Sequence, residues 1–292
     1  METVAITGGS GKIGPAFVEA FSEWGYRTAN VDVVEPDPQI ADSYRRADLR
    51  EAGEVYGALA AADADAVVHL GTIDTPTNHP GHVTFESNVT SSYLVLEAAQ
   101  ALGIGAVALA SSINALGAKF QDAPMDVRYL PIDESHPATP RDPYGLGKRV
   151  VEETAAGFGR RDDPPTSIST LRFPNVVPGD GLERYAERDY SIEALKRIHE
   201  YPSHVVRSLT YVHARDAASL TRRALEADLD GHETFWVMAD DTTSEVPTAE
   251  IADEFYPDVE RTRPLAGTES LISNEKAKRV LDWEPERSWR DC

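Results

Sequence analysis

Cysteine is almost missing from this chain. Cys292 is the only one in 292 residues, which excludes an internal disulfide framework and gives no reason to expect a catalytic thiol. Lysine is scarce too, six residues against 22 arginines. No apolar run approaches the roughly 18 residues a membrane-spanning helix needs. No Ser- or Gly-rich linker, low-complexity tract or internal repeat breaks the pattern. An apolar strand follows Met1 almost at once, so no leader segment is expected and a cytoplasmic, soluble protein is the expectation. Positive charge as a whole is in deficit, 28 basic residues against 49 acidic, for a formal charge of −21. Such an excess repels nucleic acid and anionic membranes, so neither is expected as a partner. The acidic residues are spread along the chain, which argues against a disordered acidic tail. They raise the expectation of a halophilic protein, in which high salt screens the self-repulsion.

Against these absences, the N-terminus is rich in signal. Val4-Ala5-Ile6 is a short apolar run, followed by Thr7-Gly8-Gly9-Ser10-Gly11-Lys12-Ile13-Gly14 and a helical pattern with Phe17, Val18, Phe21 and Trp24 on one side. Strand, glycine turn and helix in that order are the context of a dinucleotide fingerprint. Gly8 permits a tight turn, Gly11 lets backbone approach a pyrophosphate, and Gly14 allows close helix–strand packing. N–H groups at the helix start favour the phosphates. The first gap is one residue longer than in the usual Rossmann form. Residues 28–34 read as a second strand carrying Asp32, eighteen residues beyond Gly14. A carboxylate there accepts the adenosine ribose hydroxyls and repels a 2′-phosphate, favouring NAD over NADP. Arg45 and Arg46 are a basic pair nearby that leaves NADP open. Lys12 is either a pyrophosphate contact or a solvated loop lysine.

Tyr144-Gly145-Leu146-Gly147-Lys148 is the most informative run. Residues four apart on a helix share a face, so a cation there sits beside a phenol. Bringing a tyrosine from its ordinary pKa of about 10 to near 7 takes roughly 4 kcal/mol, and an ammonium in a partly desolvated cleft supplies much of that. Other constellations carry less. His79 and His82 flank a Pro-Gly turn with no third ligand and read as loop histidines, not a metal site. His213 and Asp216 lie where a strand meets a helix, Asp216 as an N-terminal helix charge. Ser111 and Ser112 lack a glycine elbow, so a hydrolase nucleophile is not indicated.

The order of these pieces resembles the extended short-chain dehydrogenase/reductase family, the NAD-dependent epimerase/dehydratase group, over nearly the whole chain. Asp48-Leu49 resembles that family's contact to adenine, and Val67 to Gly71, including Leu70 and Gly71, its fourth-strand end beneath the cofactor. Ser87-Asn88-Val89 resembles the helix whose asparagine supports a proton-relay water. Ala110 to Gly117 resembles the strand-end serine motif, placing Ser112 in the catalytic position. Asp133-Glu134, the run from Pro140 to Lys148, Leu171 to Val176 and the tail from Ser273 to Pro285 follow in the family's order.

The resemblance implies an α/β fold, a Rossmann-type doubly wound parallel sheet with a smaller C-terminal substrate-binding lobe. The expected division is 1–178, with 208–232 returning to it, against 179–207 and 233–292. By the same resemblance Tyr144 is expected to act as general base, Lys148 to lower its pKa and hold the nicotinamide ribose, and Ser112 to hydrogen-bond the substrate oxygen. NAD, held by Gly8, Gly11, Lys12, Ile13, Gly14, Asp32, Asp48, Leu49, Leu70 and Gly71 with Tyr144 and Lys148, takes the hydride.

Nucleotide-sugar enzymes of the group commonly carry an arginine just before the strand that here reads Thr210 to His213. That position holds Leu209, with Arg207 two residues earlier and on the same face if the segment is a strand. The stretch from Tyr190 to Tyr201 is short for a nucleotide clamp. A free aldose or uronate is therefore expected as substrate, bound by Ser111, Ser112, Asn114, Asn175 and Arg207, with Arg172 adjacent. A nucleotide-sugar 4-epimerase or dehydratase is the alternative, and a catalytically silent NAD-binding regulator a second. The helices around Val83–Leu102 and Tyr144–Phe158 resemble the family's four-helix dimer contact, with Val150, Val151, Thr154 and Ala155 as candidate surface, so a homodimer is expected.

Overall fold

The computed structural model describes residues 1–292 apart from 122, 123, 164, 166, 200, 201 and 228. Glu200 and Tyr201, at the end of the segment expected to be a short clamp, lie outside the described residues. In chain order the strands are β1 (Thr3–Thr7), β2 (Arg27–Asp32), β3 (Ser43–Arg46), β4 (Ala66–His69), β5 (Ala106–Ser112), β6 (Tyr129–Leu130), β7 (Ser167–Phe173), β8 (Asn175–Val177), β9 (Tyr211–His213), β10 (Gly231–Trp236) and β11 (Glu260–Arg261). The helices are α1 (Gly14–Glu23), α2 (Ala52–Ala62), α3 (Gly81–Leu102), α4 (Pro143–Gly159), α5 (Ile192–Ile198), α6 (Pro202–Leu209), α7 (Ala214–Glu226), α8 (Thr248–Phe255) and α9 (Glu275–Leu281).

Seven strands form one sheet in the order β10-β7-β5-β4-β1-β2-β3, with every pairing parallel. β1, β4, β5 and β7 are buried at every residue, as strands covered on both faces must be. One face packs Phe17 and Phe21 of α1 and Ala217 and Leu220 of α7 against the sheet. The other packs Val55 of α2, Val95 of α3 and Val151 of α4. This is the doubly wound sheet expected, and the strand order reverses between β1 and β4. At such a switch point the loops on either side diverge and leave a crevice beyond the carboxyl ends.

A third apolar cluster joins Leu195 of α5, Val205, Val206 and Leu209 of α6, Ile251 of α8 and Tyr256 to Trp236 and Met238. It forms the lobe beside the crevice. The division between sheet and lobe is less clean than expected. β10 continues in the sheet to Trp236, and Ala277, Leu281 and Trp283 around α9 pack with α7 on the sheet side. The expected dimer surface also needs correction. Val151 and Ala155 are fully buried in the sheet's own core, whereas Tyr93 of α3 and Leu146 of α4 are exposed. Among the described residues no helix is long and apolar enough to cross a membrane.

Candidate active site

A cleft of about 870 Å³ runs along the carboxyl ends of β1, β2, β4, β5 and β7. Its β1 end is shaped by glycine. Gly8 has φ +72°, and a Cβ there would lie 2.5 Å from the Gly71 nitrogen. A Cβ on Gly14 would lie 2.3 Å from the Gly8 carbonyl oxygen. The turn therefore folds against the end of β4 only with bare backbone at both places. Gly11, Lys12, Ile13, Leu70 and Gly71 line the same wall. Asp32 closes the tip of β2, its carboxylate accepting from the Ser10 and Val34 backbone N–H groups at 3.1 Å each. Asp48 and Leu49 line the cleft beside it. Arg50 pairs with Asp48 at 2.6 Å and holds its carboxyl down to about 2.

A dinucleotide fits this wall, because the glycine cradle has room for backbone contact and Asp32 lies at the cleft rim. Arg45 is turned away, donating to the Tyr44 and Ala61 carbonyls, and neither it nor Arg46 lines the cleft. That leaves Asp32 to choose, and a carboxylate chooses NAD.

The β5 end carries the chemistry. Asp142 caps α4, accepting from the backbone N–H of Tyr144 at 3.0 Å and Gly145 at 2.9 Å, while Pro143 occupies the first turn where no N–H is needed. The cap fixes where the helix starts and hence where Tyr144 points. Gly145 lets the helix approach the turn after β5, since a Cβ there would meet the Asn114 carbonyl at 2.4 Å. Tyr144 and Lys148 share the cleft-facing side, with the Lys148 Nζ 5.7 Å from the Tyr144 ring centroid. The Ser112 hydroxyl hydrogen-bonds the phenol and accepts from the Asn114 N–H at 3.1 Å and its Nδ2 at 3.2 Å. The Asn114 Oδ1 is buried without a partner among the described residues, available to a ligand hydroxyl. Phe120 stands edge-on to Tyr144 at 5.7 Å.

The expected electrostatic pairing takes a different form. Burial pushes the Tyr144 phenol up to about 12, opposed chiefly by the Ser112 hydrogen bond. Lys148 donates to the Ala110 carbonyl at 2.7 Å and the Thr72 hydroxyl at 3.2 Å. Burial pushes it down to about 7, with Glu152 and then Asp74 pulling it back up. The chain alone therefore does not deliver a low phenol. Desolvation dominates the phenol, and the Asp74 and Asp142 charges raise it further.

Three expected site residues are placed differently from the sequence reading, and the adjacent Arg172 takes its structural alternative. Asn88 does not line the cleft; its amide clamps the Ile73 backbone, accepting at 2.7 Å and donating at 2.9 Å. Ser111 reaches the cleft wall, but its hydroxyl donates to Glu152 at 2.7 Å. Arg172 is buried and doubly bonded to Glu152, which makes it structural. Arg207 does line the cleft, yet from the last turn of α6 and not from a strand. The two-residue strand argument fails there, and Leu209 points into the lobe's core. Asn175 lines the cleft as expected, donating to the Tyr185 hydroxyl at 2.6 Å.

Lys119 was missed by the sequence reading. It lines the cleft near Arg207, and its pKa is lowered first by burial and then by the Arg207 and Lys12 charges. Among the described residues no carboxylate forms an ion pair with Lys12, Lys119 or Arg207, although eighteen ion pairs occur elsewhere. The Arg207 Nε is buried without a hydrogen-bond partner among the described residues. These cations share the cleft lining with Asp32, Asp48 and Asp74.

Comparison with known proteins agrees with this architecture. Residues 4–238 match the model of the NAD dependent epimerase/dehydratase family. A UDP-glucose 4-epimerase from Rhizobium leguminosarum bv. trifolii is 26% identical over 98% of this chain and 93% of its own length. UDP-glucose 4-epimerase 2 from Oryza sativa subsp. japonica is 28% identical over 61% of this chain, but only 45% of that protein is spanned. Among solved structures, a short-chain dehydrogenase/reductase superfamily protein from Agrobacterium tumefaciens with bound NAD has a TM-score of 0.72 at 20% identity, covering 99% of this chain and 94% of that one. A mutated uronate dehydrogenase has a TM-score of 0.69 at 21% identity, covering 99% and 84%.

Proposed function

The chain belongs to the NAD-dependent epimerase/dehydratase family, an enzyme family that uses NAD, and from that premise we propose that it oxidises a carbinol of a free sugar bearing an anionic group, a uronate being the leading substrate. The observation that supports this reading is the presence in the cleft of Lys119, over the Phe120 ring at 4.5 Å, and Arg207, neither in an ion pair among the described residues. A charge-assisted contact there anchors a carboxylate and sets the distance of the carbinol from Tyr144. The Asn114 Oδ1 and the Asn175 amide offer partners for ring hydroxyls.

Tyr144, in its phenolate form, accepts the carbinol proton as the carbonyl forms. Ser112 holds the same oxygen and stabilises the charge that develops on it. Lys148, seated between Ala110 and Thr72, keeps a cation behind the phenol when protonated. The glycine turn and Asp32 would hold NAD, which when bound would supply the hydride acceptor.

A second reading has its own support. Arg207 on α6 is also suitably placed for a diphosphate, and the curated relatives quoted above are nucleotide-sugar epimerases. The discriminating assay follows absorbance at 340 nm with uronates, neutral aldoses and UDP-sugars in molar salt. Stoichiometric NADH from a uronate supports the dehydrogenase; interconversion of a UDP-sugar without net NADH replaces it with the epimerase. No turnover of any sugar favours the silent regulator. The homodimer is also proposed, on the exposed Tyr93 of α3 and Leu146 of α4. A monomer mass by light scattering in molar salt would remove it.

A further inference from the structure

One buried charge pair has no part in the chemistry described so far. Glu152 lies on α4, one turn beyond Lys148, and is 2% exposed. Its Oε1 accepts from the Ser111 hydroxyl at 2.7 Å and the Arg172 Nε at 2.8 Å. Its Oε2 accepts from the Arg172 Nη2 at 2.9 Å and the Arg149 Nη1 at 3.1 Å. A single carboxylate thus ties together the three elements that carry the site. These are α4 with Tyr144 and Lys148, the end of β5 with Ser112, and β7, which runs on to Asn175.

A buried ion pair is weak evidence for stability, because apolar residues of similar volume often serve as well. Its placement asks for another explanation. We infer that Glu152 is a positioning residue, locking α4 to the end of β5 and keeping a fixed negative charge behind Lys148. The charged and titratable groups around Lys148 leave it little competition. From β4 comes His69, fully buried, bonded to the Thr7 hydroxyl and kept neutral by burial. The loop after β4 contributes Thr72 and the exposed Asp74. β5 contributes the Ala110 carbonyl, α4 itself Tyr144 and Glu152, and β7 contributes Arg172, paired with Glu152 at 2.8 Å. Asp74 and Glu152 are the two anions in this set, and only Glu152 is shielded from solvent, where its field is least screened.

Burial favours neutral Lys148, and Glu152 is the largest opposing influence. Removing that carboxylate makes Lys148 easier to deprotonate. A neutral lysine gives the phenolate no cationic support, so the pH at which Tyr144 works as a base rises. The kinetic part of this inference rests on the oxidoreductase reading; the titration part does not.

The test uses NAD-free protein labelled with 13C-lysine. The chain has only six lysines, and Lys148→Arg identifies the Lys148 signal. In Glu152→Gln the Lys148 titration midpoint is expected at least one pH unit below wild type. Because that variant leaves Arg172 buried without its carboxylate, Glu152→Gln/Arg172→Leu is measured beside it. The double variant removes both charges, and its midpoint is still expected at least half a unit low. With a turned-over sugar, the acidic limb of kcat/KM for NADH formation should move to higher pH in both variants. An unshifted midpoint in the folded double variant overturns the inference, as does a kinetic limb that stays at the wild-type pH while the midpoint falls. A shifted midpoint with no turnover of any sugar supports the charge effect and counts instead against the oxidoreductase reading.

Discussion

Replacing Lys148 with methionine should make the protein more stable at neutral pH and less stable at alkaline pH. Lys148 is 1% exposed, and burial lowers its pKa to about 7, against 10.5 for an unperturbed lysine. Between those values the unfolded chain binds more protons than the folded one, so the lysine's cost is full below about pH 7 and fades as pH rises toward 10.5. A gap of about 3.5 pH units corresponds to an upper bound of about 5 kcal/mol. Methionine escapes that cost but leaves the Ala110 carbonyl without its donor at 2.7 Å, a loss of about 1–3 kcal/mol. The difference leaves Lys148→Met ahead by about 2–3 kcal/mol at pH 7. Near pH 10 the ionisation cost has nearly vanished and the hydrogen bond remains, so wild type leads by about 1–2 kcal/mol. Urea unfolding of both proteins at pH 7, 8, 9 and 10, in constant molar salt without NAD, reads the difference from midpoints and slopes. A stability difference that does not change with pH would refute the claim that this lysine is held in a dry pocket against its own charge.

Further outcomes follow from the same geometry. Arg207→Met should lower kcat/KM for a uronate by roughly 10- to 100-fold, the value of one charge-assisted contact, and leave a neutral aldose within about threefold; equal losses on both would remove the anion-anchoring role. Gly145→Ala places a methyl 2.4 Å from the Asn114 carbonyl, so α4 must shift. A stability loss of about 1–3 kcal/mol is expected, with a fall in turnover; urea melts and NADH rates matching wild type would contradict it. If the charge of −21 reflects life in high salt, Tm should fall as salt is reduced from molar to millimolar, where screening is lost. A Tm that stays flat would show that the self-repulsion is balanced within the fold.

The sheet and the cofactor wall were legible in the sequence because their signals are local. Gly8, Gly14 and Asp32 act through a strand, its turn and the next strand tip, and spacing alone places them. The same holds for Tyr144 and Lys148 on one helix. What the sequence hid depends on distance. Ser111 finds its partner Glu152 forty-one residues away, and nothing near Ser111 signals that its hydroxyl is engaged. Arg207 was read with the strand that follows, yet it lies at the end of the eight-residue helix α6, where the apolar positions Val205, Val206 and Leu209 are set by the lobe's core. Lys119 carries no pattern at all; only the folding of the turn after β5 brings it toward Arg207. The largest misjudgement was energetic. Spacing puts an ammonium beside a phenol, but only the packed structure reveals that burial moves both groups toward neutrality.

The account turns on Tyr144 as the base. Its most direct test is the pre-steady-state rate of NADH formation by Tyr144→Phe and wild type, with the same sugar and saturating NAD. The expected result is a rate lower by about 10²- to 10⁴-fold, the usual contribution of a general base, with NAD affinity within about threefold of wild type. A phenylalanine variant that forms NADH at the wild-type rate would contradict it.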